Sequence, residues 1–394
     1  MKKHSIFNKK LSIINCLFYL ILCGCITEYE AKVDEVTDIL VVEGIITDDE
    51  TVITLSRSTN LNNDYFTSNP VNNAEVFVEC EDGTLFHVED DNWGWYDRKG
   101  KYIIKTGTLN PERKYHLKIE IEENDGDCYH EPWSGIPCPT KTYKYSSDYS
   151  YPIKTPEIDS IFWRKRDNGQ PVMIYVSAQD PNVLYYRWTY KEDWENHSKI
   201  FLEGYPNQCW GTSSSYGMVI GSAEQTVIGK LTDVLVEITP SSRKLSELYR
   251  INIKQNAISK RSYDYFSNIK KNTEQSGNIF APIPSELRGN MTCTTDPARP
   301  VIGYVDVSST TENLRYISYR EGAYEQPHSS CGIYSHEEIC NIFGLFCEGS
   351  VQLGEEWMIF DIREIPPLYV QIKCVDCTIS GDTTQKPDDW PDNY

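Results

Sequence analysis

The chain has 394 residues, with 38 Lys and Arg against 58 Asp and Glu and a formal net charge of −20. A surface this acidic repels phosphate backbones and anionic lipid, so nucleic-acid binding is excluded as an expected role. The length exceeds what one hydrophobic core usually serves, predicting two or three domains, and 27 Tyr and nine Trp against five Met favour β structure or aromatic binding surface over a helical bundle.

The first residues carry Lys2, Lys3, Lys9 and Lys10, then the apolar run Leu17 to Leu22, then Leu22-Cys23-Gly24-Cys25. A cationic head, an apolar core of roughly 7 to 15 residues and a small residue before the cut mark a secretory signal too short to span a bilayer. The Leu-x-Gly-Cys ending resembles a bacterial lipobox. Residues 1–24 are therefore expected to be a signal peptide and Cys25 an acylated anchor, each buried methylene adding roughly 0.8 kcal/mol of membrane affinity. Residues 25–37 are polar and acidic and read as a flexible tether. Glu28 and Glu30 within it resemble the surface-export signal of Bacteroidetes lipoproteins.

Beyond Cys25 lie Cys80, Cys128, Cys138, Cys209, Cys293, Cys331, Cys340, Cys347, Cys374 and Cys377. An even number in an exported chain predicts disulfides, with the pairing left open.

From Ile39 the pattern is strand-like. Ile39 to Ile46 is a β-branched run, Thr51 to Leu55 alternates, and Ala74 to Val78 follows a Pro/Asn turn. Tyr115, Leu117, Ile119 and Ile121 share one face, with His116, Lys118 and Glu120 on the other. The turn Gly107 to Pro111 followed by Tyr115 resembles the corner of Ig-like and fibronectin-like domains. These features predict a mainly β fold that opens with an Ig/fibronectin-like antiparallel β-sandwich over residues 38–133.

Residues 134–156, rich in Pro, Ser and Tyr, read as a strap. A second β-rich domain is expected over 157–394, with strands at Val172 to Ser177, Leu184 to Tyr190, Tyr249 to Ile253 and Val301 to Val307. Gly204 to Gly217, with Cys209-Trp210 and a Ser run, reads as a loop. One main α-helix is predicted at about 259–276, with Ser259 as N-cap, Ile258 and Tyr263 as a staple, and Tyr263, Phe266, Ile269 and Thr273 on one face.

The acid-and-aromatic stretch Asp90 to Asp97 holds Trp93, Trp95 and Tyr96, which, with Trp210, are the candidate ligand-binding residues. Such rings stack on a sugar or clamp a peptide, or else serve as core. His336-Glu337-Glu338-Ile339-Cys340 falls one imidazole short of a zinc-protease helix. Cys374-Val375-Asp376-Cys377 has redox spacing, yet no helical period follows it, as a thioredoxin-type dithiol requires. Cys331, Cys340, Cys347, Cys374 and Cys377 are therefore read as disulfide cysteines, and no metal, cofactor or catalytic residue is assigned.

Four ordered blocks, Leu40 to Ser58 (LVVEGIITDDETVITLSRS), Ile258 to Asn290, Gly303 to Ser309 (GYVDVSS) and Cys374 to Trp390 (CVDCTISGDTTQKPDDW), resemble the DUF4249 family. The resemblance implies an outer-membrane lipoprotein without established activity, often encoded beside a TonB-dependent transporter. This chain departs from it in having Gly381-Asp382 where Gly-Gly is usual, and in the additional Cys331, Cys340 and Cys347, which are expected to brace a loop. The resulting expectation is a lipid-anchored, non-enzymatic surface protein that binds a glycan, peptide or metal chelate, or assists a TonB-dependent barrel. A hydrolase with a site assembled from distant residues and an adhesive surface subunit are the alternatives.

Overall fold

The computed structural model describes residues 38–58, 69–88, 99–124, 139–165, 171–215, 219–226, 228–239, 242–275, 289–322, 331–343, 356–361, 363–364 and 367–392. The β-branched run near the start forms the strand Leu40–Ile46, which hydrogen-bonds in antiparallel register to Asp49–Arg57. Leu40, Val42 and Ile46 point into the core because side chains alternate along a pleated strand. Lys101–Gly107 pairs with the second strand.

The facing sheet runs in the order Met291–Cys293, Thr140–Ser147, Tyr115–Asn124, Ala74–Cys80, Leu85–His87. Leu40, Ile53 and Leu55 from one sheet meet Val76, Val78, Leu117 and Ile119 from the other in one buried cluster. At the corner, the amide of Asn110 donates to Tyr115 Oη at 2.8 Å, pinning the turn as its sequence suggested.

This sandwich does not close at residue 133. The expected strap carries the strand Thr140–Ser147, whose Tyr145 is 1% exposed at the centre of the sheet. Its inward positions Tyr143, Tyr145 and Ser147 are set among Thr and Lys, so no apolar period advertises it. The sheet is completed by residues from far down the chain. Val301–Gly303 and Asp306–Val307 lie parallel to Leu40–Ile46, which departs from a purely antiparallel sandwich. The chain thus leaves the first sandwich, builds the second, and returns. His116, on the other face of its strand from Tyr115 and Leu117, is also buried; it bonds Glu79 at 3.0 Å and stacks on Tyr149 at 3.8 Å.

In the second sandwich, Lys230–Ile238, Val172–Gln179 and Ile158–Arg164 form one sheet. The other runs Gln208–Ser214, Tyr185–His197, Leu248–Ala257, Thr310–Ser318, with Val219–Ser222 also on Tyr185–His197. Ile174, Val176, Trp188, Ile251 and Ile253 lie in the buried cluster that the two sheets share.

The span expected to be a loop contains the strand Gln208–Ser214. Glycine is required there, since a Cβ at Gly211 would run into the Trp194 indole and the Asp382 carboxylate. Tyr185–His197 also extends past Tyr190 through Lys191-Glu192-Asp193. Burying charge is costly unless it is paired. Here Glu192 accepts from Tyr249 Oη at 2.7 Å and Lys244 Nζ at 2.8 Å, and Asp193 accepts from Arg250 Nη2 at 2.7 Å.

The helix Lys260–Gln275 begins as predicted, with the Ser262 amide donating to Ser259 Oγ at 3.1 Å. Phe266 and Ile269 lie on its buried face as expected, and Tyr265, which was not expected there, joins them in packing with Tyr304 and Ile220, while Tyr263 is half-buried against Tyr185. After the short helix His336–Phe343, the C-terminal part forms a hairpin of Trp357–Asp361 with Leu368–Gln371. None of the helices among the described residues is long and apolar enough to cross a membrane.

Candidate ligand-binding cavity

The far end of the strand Tyr185–His197 and its neighbour Gln208–Ser214 carry a cavity of about 380 Å³. Glu195, Gln208, Trp210 and Glu247 line it from the sheet, Tyr319 and Arg320 from the turn after Thr310–Ser318, and Lys386, Trp390, Pro391 and Asp392 from the C-terminal segment.

Two covalent links hold that C-terminal segment in place. Cys377 bonds Cys209, next to Trp210, across a sequence separation of 168, and Cys374 bonds Cys331. Trp210 and Thr383 then exchange backbone hydrogen bonds of 2.7 and 2.9 Å, and Asn196 Nδ2 donates to Asp382 at 2.5 Å. Trp390 packs with Trp210, Leu248 and Tyr316. Its Nε1 donates to Glu195 Oε2 at 2.9 Å, and the exposed Asp389 pairs with Arg250 at 2.7 Å.

Glu195 is 3% exposed and fully engaged, since Gln208 Nε2 and His197 Nε2 both lie 2.8 Å from its second oxygen. The hydrogen bond to Glu195 raises the His197 pKa above the ordinary histidine value; burial opposes it, and the Glu247 charge, 3.6 Å from the other ring nitrogen, adds to it. When protonated, the His197 ring bridges two carboxylates. Arg250 behaves as a paired cation: burial lowers its pKa, but hydrogen bonds to Asp193, Tyr316 and Asp389 outweigh that and leave it raised.

The Trp210 indole N–H is buried and finds no acceptor among the described residues. An unmet buried donor costs about 1–3 kcal/mol. Aromatic faces beside fixed carboxylates and cations suit a ligand with an apolar face and hydroxyl edges.

Of the candidate aromatic residues, Trp210 lines this cavity, whereas Trp93, Trp95 and Tyr96 lie outside the described residues, as do Cys25 and Cys347. Cys374 and Cys377 are both disulfide-bonded, each to a distant partner instead of to one another. Cys331, expected to brace a local loop, reaches Cys374, and Cys340 lies in the helix His336–Phe343. Cys80 and Cys293 are free and buried, against the expectation that all ten cysteines pair. Two strands separate theirs in the sheet, about 14 Å at the usual strand spacing, beyond the roughly 7 Å that a disulfide spans. Among the described residues no cluster of His, Cys, Asp or Glu could hold a metal ion.

Glu195, His197, Glu247, Tyr319 and Trp390 were not anticipated. Glu195-Asn196-His197 sits in a charged stretch and Trp390 in a Pro-rich tail, and only long-range pairing brings them together.

The molecule is thus a two-sandwich β protein whose disulfide-tied C-terminal segment closes a polar, aromatic cavity. The model of the family described as domain of unknown function DUF4249 matches residues 26–313, and the chain belongs to that family. The matched span ends within the strand Thr310–Ser318, so the C-terminal residues that line the cavity fall beyond it. No curated protein matches the chain.

Proposed function

We propose that this chain is a lipid-anchored, non-enzymatic protein of the outer-membrane surface that binds an oligosaccharide segment in the Trp210–Trp390 cavity and hands it to a TonB-dependent barrel. The observation that carries the binding role is a cavity that brings Trp210, Trp390 and Tyr319 together with three carboxylates. A sugar offers hydroxyls to carboxylates and a flat C–H face to aromatic rings. The Leu-Cys-Gly-Cys sequence supports the anchor. The net negative charge suits a neutral cargo over an anionic one.

Affinity isolation from native outer membranes, with the Cys25 anchor intact, tests the transport role. A TonB-dependent barrel recovered in stoichiometric amount supports it. Recovery of the protein alone, with unchanged nutrient uptake on deletion of its gene, would refute it.

A further inference from the structure

A second, larger cleft of about 430 Å³ lies between the two sandwiches and shares no residue with the aromatic cavity. On one side is the hairpin joining Leu40–Ile46 to Asp49–Arg57, which supplies Asp49 and Glu50. On the other are Arg187, Lys254, Asn256 and Glu312, from the strands Tyr185–His197, Leu248–Ala257 and Thr310–Ser318.

Arg187 differs from the other buried cations of the molecule. Arg250 has Asp193, Lys244 has Glu192, and Arg57 and Arg299 share Glu123. Arg187 is half-buried with its guanidinium 5.4 Å over the Phe266 ring, and no ion pair or hydrogen bond closes on it among the described residues. Burial lowers its pKa, opposed by the charges of Glu43 and Asp306. Asp306 is already committed to the start of the helix, where its carboxylate accepts from the Ser259 amide at 3.3 Å. The guanidinium thus has an aromatic neighbour and two nearby acids, with its hydrogen-bond donors uncommitted among the described residues.

The rim of the cleft has the opposite sign. Asp49 and Glu50 are exposed and make no ion pair among the described residues, while Lys254 and Glu312, cross-strand neighbours on the opposite wall, lie 3.9 Å apart. These carboxylates repel a simple anion. A molecule carrying a carboxylate at one end and an ammonium at the other meets both signs at once.

We propose that this cleft is a binding site for a zwitterion of the amino-acid or short-peptide class, its carboxylate on Arg187 and its ammonium toward Asp49 and Glu50. A guanidinium grips a carboxylate in bidentate fashion, and the cleft volume falls within the roughly 300–1,000 Å³ usual for small-molecule sites.

Isothermal titration of the full chain with alanyl-alanine, with acetate and with ethylamine tests the assignment. The dipeptide should bind saturably, and each half-molecule at least tenfold more weakly. Arg187→Met should abolish dipeptide binding. Arg187→Lys, which keeps the charge, should bind detectably but more weakly. Glu50→Gln should weaken the dipeptide several-fold without altering acetate binding. A wild type that does not bind the dipeptide would overturn the proposal, making Arg187 a structural residue. Equal affinity for acetate and dipeptide would overturn it too, leaving a plain anion site.

Discussion

The indole N–H of Trp390 donates to the buried Glu195 carboxylate at 2.9 Å, joining residues 195 positions apart. This contact makes the C-terminal segment a wall of the cavity. Trp390→Phe keeps the ring but removes the donor, leaving one carboxylate oxygen short of a partner. Urea unfolding should show a loss of about 1–3 kcal/mol. Trp390→Ala also empties the packing against Trp210 and Leu248 and should cost about 3–5 kcal/mol.

Peptide mapping without reduction should recover Cys209 joined to Cys377 and Cys331 joined to Cys374. Cys80 and Cys293, buried and free, should alkylate only after denaturation. Cys377→Ser opens the loop that the longer of the two bridges closes, and should destabilise the protein by about 2–5 kcal/mol.

His197 should make stability depend on pH. Its folded pKa is raised above its unfolded value of about 6.5, chiefly by Glu195. The stabilisation is therefore complete below about pH 6.5 and is lost as pH climbs through the folded pKa. Since the His197 side chain is 41% exposed, salt should weaken the effect. NMR titration of the imidazole should give a midpoint above that of a free histidine, and His197→Gln should flatten the slope of stability against pH.

Arg250→Ala should be among the more damaging single changes in the second sandwich. Arg250 and Asp193 are 5% and 4% exposed, and removing the guanidinium leaves the buried carboxylate with only the exposed Lys191 at 3.3 Å, at about 3–5 kcal/mol by chemical denaturation. By contrast, Lys144→Ala removes a pair with Glu120 in which the lysine is 51% exposed, and should cost under about 1 kcal/mol.

Local physics made part of this fold readable from the residues. The β-branched run of Leu40–Ile46, the corner at Tyr115 and the cap at Ser259 each depend on a few neighbours in sequence. The strand predicted to end at Tyr190 runs on through the charged Lys191 to His197 because the groups that pair with its buried acids, Lys244, Tyr249, Arg250 and Trp390, come from elsewhere in the chain. The return of residues 301–307 to pair in parallel with Leu40–Ile46 leaves no local trace either. The cavity shows the same division. Trp210 stood out by residue type alone, whereas Glu195, Glu247 and Trp390 join it only through strand register and the Cys209–Cys377 bridge.

The central claim is that the cavity at Trp210 and Trp390 holds an oligosaccharide. Its most direct test is isothermal titration of the full chain with short neutral oligosaccharides derived from starch, xylan and mannan, set beside the Tyr319→Ala variant. The account predicts saturable binding to at least one of them, weakened about tenfold in the variant, because the exposed ring that lines the cavity is removed. No saturable binding by the wild type, or an affinity that Tyr319→Ala leaves unchanged, would contradict it.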